Sequence, residues 1–318
     1  MSKSSGTSTG FDKLCQRRLR AGFDKLCQRR LRAGFDKLCQ RPLAELVEAN
    51  GRDHVWQSTI CNGIRRPELP PSAPITTAVI LAAGTGSRLQ SLWATAPKGL
   101  LPLGDTPIIE RSITQLLAHG IERIMLVVGY QAAQYAPLAQ RYPALSTVYN
   151  PHYANSGSMY SLACARHLLA DTFLLLESDL IYEDRALAAL LACPAPAALL
   201  VSGTTNAGDE VFVEVAGDQV RRISKVRSAL DSIGGEMVGI TKVSMALWQA
   251  MCAYADAYFA QSRQLEYCSG CLNAVIPYTA LGCCKLDDLI WAEIDDAAQW
   301  QRARDVVFPM LTRRPNSL

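Results

Sequence analysis

The 318-residue chain contains no uninterrupted apolar run near the roughly eighteen residues that a membrane helix needs, although 49% of its residues are hydrophobic. Its N-terminus also lacks the apolar segment of a secretory signal, so the cytoplasm is the expected compartment and membrane insertion is not expected. Histidine is scarce, with four residues at no ligand spacing, and no Ser-His-Asp or Cys-His arrangement announces a covalent nucleophile. The eleven cysteines are scattered and read as small buried hydrophobes of a reducing compartment rather than a disulfide framework. Cys268 and Cys271 fall in a predicted helix, and Cys283 and Cys284 are adjacent, a spacing that suits tetrahedral zinc poorly. Positive charge is lacking where a nucleic-acid enzyme would carry it. The net charge of +3 divides into +7 for residues 1–72, with 14 Lys and Arg against 7 Asp and Glu, and −4 for the remainder, with 18 against 22. Nucleic acid is therefore not an expected partner of the body.

What the first 73 residues do contain is repetition. GFDKLCQRRLRA occurs twice without a substitution, and a third copy runs into ELVEANG. Packing constrains only some positions of a structural repeat, so identity at every position points to duplicated DNA. The phrase resembles translated intergenic repeats in bacterial gene predictions, which places the expected start near residue 74. A basic amphipathic helix touching nucleic acid or a membrane surface is the functional alternative. The expected organisation is a leader and Pro-rich linker over 1–73, one catalytic domain over 74–312, and a tail over 313–318.

The body alternates apolar strand patterns with helical spacing. Strands are predicted at 77–82, 123–128, 146–150 and 173–176, and helices at 107–119, 131–142 and 158–169. This order predicts an α/β fold with a doubly wound, mostly parallel, Rossmann-like sheet whose ligands sit at the C-terminal strand ends. Short strands at 210–215, 219–225 and 236–241 predict a small antiparallel insertion forming a lid or acceptor wall. Helices at 244–261 and 265–276, a strand at 291–295 and a helix from 297 complete the pattern.

The first strand ends in VILAAGTGSRLQSLWATAPKGLLPLG. Glycines after a buried strand let backbone N–H groups approach an anion closely, which makes the loop a phosphate cradle. It is neither the dinucleotide fingerprint, because Ser87-Arg88-Leu89 follows the glycines, nor a Walker loop, because lysine does not follow them directly. Arg88 and Lys98 flank the loop and can neutralise a polyphosphate and the charge developing on departing pyrophosphate. Such chemistry calls for Mg2+, which prefers carboxylates together with phosphate oxygens. Asp179 in LLLESDLIY and Asp295 in WAEIDD follow apolar strands and are the candidate ligands, although a single Asp after a strand is more often a helix cap or turn former, with Glu177, Glu293 and Asp296 as neighbours that orient ligands or cap the next helix.

The run L-A-A-G-x-G-S-R-L, followed by P-K and L-L-P-L-G, resembles the signature of nucleotidyltransferases that join a nucleoside triphosphate to a phosphorylated small molecule. The resemblance covers residues 77–310. It implies that Leu81, Ala82, Ala83, Gly84, Thr85, Gly86, Ser87 and Arg88 wrap the base and phosphates, that Arg88 and Lys98 hold the triphosphate, and that Asp179 and Asp295 hold the metal. Arg88, Lys98 and Asp179 are then the expected catalytic residues. YNPHYANSGSMYSL, GDEVFVEV and GEMVGITKVS further resemble the 2-aminoethylphosphonate cytidylyltransferases, relatives of the phosphocholine cytidylyltransferases. The implied reaction transfers CMP from CTP to 2-aminoethylphosphonate.

That resemblance places Asn155 and Ser158 where the base is read, with a loop and helix-cap role as the plain alternative. It places Lys225 at the phosphonate, with a solvated strand lysine as the equal alternative, and Asp209 and Glu210 at the acceptor amine, although either acid also suits a turn after Gly208. A primary ammonium wants acceptors, whereas a quaternary ammonium favours an aromatic cage. Aliphatic Val211 favours the primary amine, while Phe212 and Tyr182 leave a cage open, so phosphocholine and, more distantly, sugar 1-phosphates remain alternative acceptors. A homodimer is compatible with this reading. A catalytically dead binding subunit of the same fold is the rival from another class; it would be expected to lose the lysine or a metal aspartate, and all are present.

Overall fold

The structure, a computed structural model, describes residues 74–89 and 96–313. The repetitive leader and the predicted tail beyond Arg313 lie outside the described residues.

Strand β1 (Thr77–Ala82) leads past a single turn at Lys98–Leu100 and a hairpin, β2 (Pro102–Leu103) with β3 (Thr106–Pro107), into helix α1 (Ile108–Ala118). Then come β4 (Arg123–Val128), α2 (Ala136–Arg141), β5 (Leu145–Tyr149), α3 (Ser158–Cys164), β6 (Phe173–Glu177), β7 (Leu180–Tyr182), α4 (Arg185–Ala192) and β8 (Ala198–Ser202). The second half contains β9 (Phe212–Ala216), β10 (Gln219–Ser224), β11 (Gly235–Val243), α5 (Met245–Phe259) and a wide helical turn at Tyr267–Leu272 that continues as α6 (Asn273–Val275). It closes with β12 (Gly282–Leu286), β13 (Trp291–Glu293), α7 (Ala297–Arg302) and α8 (Phe308–Arg313).

Nine strands form one sheet in the order β5-β4-β1-β6-β11-β8-β12-β10-β9. The first four run parallel to one another, as the strand-helix alternation requires, and β11 enters antiparallel beside β6. Side chains along β1 alternate between two cores. Ala78, Ile80 and Ala82 join Ile109, Ile113 and Leu116 of α1, spaced as one helical face, and Leu187 and Leu190 of α4. Val79 on the opposite face joins Met159 and Leu162 of α3 with Leu247, Trp248 and Met251 of α5. Strand β6 is buried on both faces, and truncating one of its residues, Leu175→Ala, would cost about 2–5 kcal/mol.

Several boundaries differ from the expectations. The stretch predicted as one helix over 131–142 starts with Gln131 at φ 46°, outside helical space, and divides into a tight turn and α2. The helix predicted over 158–169 ends at Cys164. Strands β8 and β12 went unpredicted; they pair parallel to each other, and β12 carries Cys283 and Cys284 as strand residues. The antiparallel strands do not stand apart as a lid, because β11 runs through the middle of the sheet and β9 and β10 extend its edge.

Candidate active site

The C-terminal ends of β1 and β6 open onto a cavity of about 380 Å³. Parallel neighbours end together, and Leu81 of β1 lies beside Glu177 of β6, so the glycine loop and the turn carrying Ser178 and Asp179 face the same space. The second aspartate arrives from far along the chain. Strand β13 pairs with β7, setting Glu293 opposite Leu180, and the Ile294 N–H donates to the Asp179 carbonyl at 3.1 Å. Asp295 is thereby delivered beside Asp179. Asp296 caps α7, where its carboxylate accepts the Gln299 N–H at 2.9 Å in a capping box.

The Lys98 ammonium is ion-paired to both Asp179 and Asp295, and the Arg88 guanidinium binds the other Asp295 oxygen at 2.5 Å. Burial opposes the Lys98 charge, but Asp179 and Asp295 outweigh it and hold its pKa above the ordinary lysine value. Burial likewise pulls Asp295 upward, yet Lys98 and Arg88 prevail and keep it below the usual carboxylate value. Asp179 is buried, and its Oδ1 has no hydrogen-bond partner among the described residues. Among the described residues, two groups of acids have ligand oxygens within 4.8 Å of one another: Glu177, Asp179 and Glu293, and Asp209, Glu293 and Asp295. Glu293 belongs to both. Burial, followed by the neighbouring negative charges, raises Glu177 and Glu293 above the usual carboxylate range. Six carboxylates therefore line the cavity, Glu266 being the sixth, against the cations Arg88, Lys98 and Lys225.

On the wall opposite the loop, Ser158 donates its hydroxyl to Glu266 at 2.5 Å and accepts the Tyr267 N–H at 2.9 Å. The Tyr267 hydroxyl in turn donates to Glu177 at 2.7 Å. Cys268 also lines the cavity, but burial, with Glu177 nearby, pushes its thiol up to about 12, so it remains protonated and is no nucleophile. The loop is open where an anion would approach. Among the described residues, a Cβ built at Gly84 would meet nothing within 4 Å, while Gly86 has φ +58°, a conformation that glycine adopts without strain.

Of the residues singled out by sequence, Leu81, Ala82, Ala83, Gly84, Gly86, Ser87, Arg88, Lys98, Ser158, Asp179, Asp209, Lys225 and Asp295 line the cavity. Thr85, Asn155 and Glu210 do not. Asn155 ends an exposed single turn, and Glu210 accepts the Gly208 N–H at 3.3 Å, the local turn contact that its position allowed. The asparagine that organises this segment is Asn150, fully buried, which donates to Ser156 at 3.1 Å and Ser161 at 3.0 Å and accepts the His152 N–H at 2.8 Å. Its sequence signal was the Asn-Pro step after β5. Phe212 and Tyr182 do not supply an aromatic cage. Tyr182 is buried in the core beside α1 and α4, and Phe212 is buried with the Arg227 guanidinium 5.5 Å from its ring centroid. Sequence reasoning missed Glu266, Tyr267 and Gln299, none of which carries a local pattern, and it treated Glu293 only as a neighbour.

Residues 78–268 match the MobA-like NTP transferase domain. The chain is 40% identical over 115 residues to 2-aminoethylphosphonate cytidylyltransferase of Lancefieldella rimae, a match covering 36% of this chain and 46% of that protein. It is 33% identical over 107 residues to choline-phosphate cytidylyltransferase of Streptococcus pneumoniae, covering 34% and 46%. Both matches span less than half of the relative's length. Among solved structures, the inositol-1-phosphate CTP transferase of T. maritima superposes with a TM-score of 0.64 at 18% identity, over 77% of this chain and 98% of that one. The CTP:phosphocholine cytidylyltransferase of Streptococcus pneumoniae superposes with a TM-score of 0.62 at 23% identity, over 74% and 99%. These likenesses establish the doubly wound α/β nucleotidyltransferase fold.

Proposed function

The chain belongs to the family of MobA-like NTP transferase domains, and from this premise we propose that it transfers CMP from CTP to 2-aminoethylphosphonate, releasing pyrophosphate. The observation that carries the proposal is the convergence of Arg88, Lys98, Asp179 and Asp295 at the mouth of a glycine loop. An excess of carboxylates repels a triphosphate, so nucleotide binding there needs a divalent cation. The donors fit magnesium: all are carboxylate oxygens, and the unpartnered Asp179 Oδ1 is an acceptor buried without a donor. Asp179 and Asp295 would hold the ion, with Glu293 adjoining both. When bound, it supplies positive charge that neutralises the triphosphate.

The chain's own residues do the rest. The glycine loop brings backbone N–H groups to the phosphates, and the Lys98 ammonium and Arg88 guanidinium offset the charge growing on the leaving pyrophosphate. The phosphonate oxygen that attacks the α-phosphorus is already an anion at neutral pH, so no general base is required, and positioning carries the rate. Lys225 is assigned to the phosphonate and Asp209 to the acceptor ammonium, beside aliphatic Val211. The 40% identity to the aminoethylphosphonate enzyme supports a primary over a quaternary amine. Phosphocholine is the second reading, favoured by the 33% identity to the choline-phosphate enzyme.

The test is a competition among 2-aminoethylphosphonate, phosphocholine and a sugar 1-phosphate at equal concentration with CTP and Mg2+, following pyrophosphate and identifying each CMP conjugate. Preferential CMP-aminoethylphosphonate is the expected outcome. Preference for phosphocholine transfers the assignment to the second reading, and pyrophosphate release with none of them removes it.

A further inference from the structure

Gln299 is buried on the first turn of α7, 7% exposed, and every polar group of its side chain is committed. Its Oε1 accepts two backbone donors, the Asp295 N–H at 2.6 Å and the Asp296 N–H at 3.1 Å. Only a carbonyl oxygen can take two N–H donors, so the amide orientation is fixed by its partners and Nε2 must point the other way. There it donates to the Asp209 carboxylate. One side chain thus grips the turn that presents Asp295 and the loop that presents Asp209, the latter ninety residues from Gln299 in the chain. These two carboxylates have oxygens close enough, with Glu293, to share one cation. The loop between β8 and β9 is also tethered at Thr205, where Glu236 accepts the backbone N–H at 2.7 Å and the hydroxyl at 3.1 Å.

We propose that Gln299 is a positioning residue that sets the spacing between the carboxylate assigned to the acceptor amine, Asp209, and the metal-side carboxylate, Asp295. A capping box needs only an acceptor at this position, and glutamate supplies one as well as glutamine does. The amide is required for its second function, donating to an acid. Glutamate here would cap α7 and hold the Asp295 turn while setting an oxygen against Asp209, and like charges at hydrogen-bond distance repel. The Asp209 loop would be released with the helix left intact. The kinetic part of this inference rests on the cytidylyltransferase reading, whereas the tether itself does not.

Gln299→Glu separates these roles, and Gln299→Ala, which loses both, is the control for cap loss. In the full chain, amide hydrogen exchange of residues 203–211 is measured alongside melting temperature and separate KM values for CTP and 2-aminoethylphosphonate. Gln299→Glu is expected to speed exchange in 203–211, to leave α7 protected, and to raise the acceptor KM about tenfold with the CTP KM within about twofold, the size of effect that loss of a charge-assisted hydrogen bond produces. Gln299→Ala is expected to lower the melting temperature and to loosen α7 as well. Unchanged exchange in 203–211 overturns the proposal, as does faster exchange with an unchanged acceptor KM, or equal rises in both KM values. Faster exchange in a protein that turns over CTP with no acceptor upholds the tether and removes only the cytidylyltransferase reading.

Discussion

Asp179 and Asp295, more than a hundred residues apart in the chain, share a single ammonium, that of Lys98. The lysine therefore stands where a divalent cation would meet the same carboxylates. Removing its charge has two opposite consequences. With nucleotide and metal present, Lys98→Met loses a cation aimed at the leaving pyrophosphate, and kcat is expected to fall by about 10²–10³ fold. In the absence of nucleotide, two carboxylates lose their internal counter-ion, and Mn2+ alone is expected to bind more tightly than to the wild-type protein. Electron paramagnetic resonance of free Mn2+ reads the second effect; equal affinity in the two proteins would show that lysine and metal do not compete.

Two glycines of the cavity wall are expected to respond oppositely to the same methyl group. At Gly84 a Cβ has nothing within 4 Å among the described residues, so Gly84→Ala should melt with the wild type while its nucleotide KM rises, as expected if the open space takes the phosphates. At Gly157 a Cβ would lie 2.4 Å from the Leu265 carbonyl oxygen, where the Gly157 N–H donates to the Arg263 carbonyl at 2.8 Å and the Met159 N–H to the Leu265 carbonyl at 2.9 Å. Gly157→Ala should therefore lift α3 off that segment and cost about 1–3 kcal/mol, the range of overpacked sites. Thermal melting beside nucleotide titration separates them, and a destabilised Gly84→Ala would contradict the cradle.

The parts of this site legible in the sequence were those written locally. A buried strand followed by glycines predicts β1 and its loop, and Asp179 follows so apolar a strand that its place at the sheet rim was readable from LLLE alone. Arg88 and Lys98 were readable as cations beside glycines. What could not be read was set by long-range pairing. Nothing near Gly235–Val243 says that this strand inserts antiparallel between β6 and β8, and nothing near Gln299 or Glu266 says which acid or hydroxyl each will meet. Asn155 and Glu210 lie outside the cavity lining for the complementary reason: their types suited a site, but each sits in a local turn.

Glu236 gives the fold a pH dependence of known sign. Buried under the β8–β9 loop, its pKa is pushed up to about 7 by burial, partly offset by the Thr205 hydrogen bonds, from an ordinary value of 4.5. A carboxyl with a raised folded pKa favours the folded state when protonated. Its contribution is complete below about pH 4.5 and is lost as pH rises through about 7. Gln at 236 is neutral throughout, so the melting temperature of Glu236→Gln relative to wild type should climb between those limits and then level off. A difference that stays flat from pH 4.5 to 8 would show that Glu236 is ionised in the fold throughout.

Strand β11 reaches the cavity through a local irregularity, and Gly239 is where it does so. Its pairing with β8 shifts register between Met237 and Thr241, and Gly239 within that interval has φ +81°. A Cβ there would stand 3.1 Å from Leu180 Cδ1 and 3.4 Å from the Glu177 carboxyl carbon. Gly239→Ala thus meets two costs: left-handed backbone, about 1–2 kcal/mol for a residue with a Cβ, and pressure on the carboxylate that accepts the Tyr267 hydroxyl. The melting temperature should fall by roughly 2–8 °C, the shift such a loss gives in a domain of 150–250 residues. Gly239→Val, branched at the same carbon, should fall further. Because the bulge sets β11 beside Glu177, catalytic loss should accompany the stability loss even at temperatures where the variant is fully folded. An alanine variant that melts with the wild type would mean that β11 passes Glu177 without needing the left-handed turn.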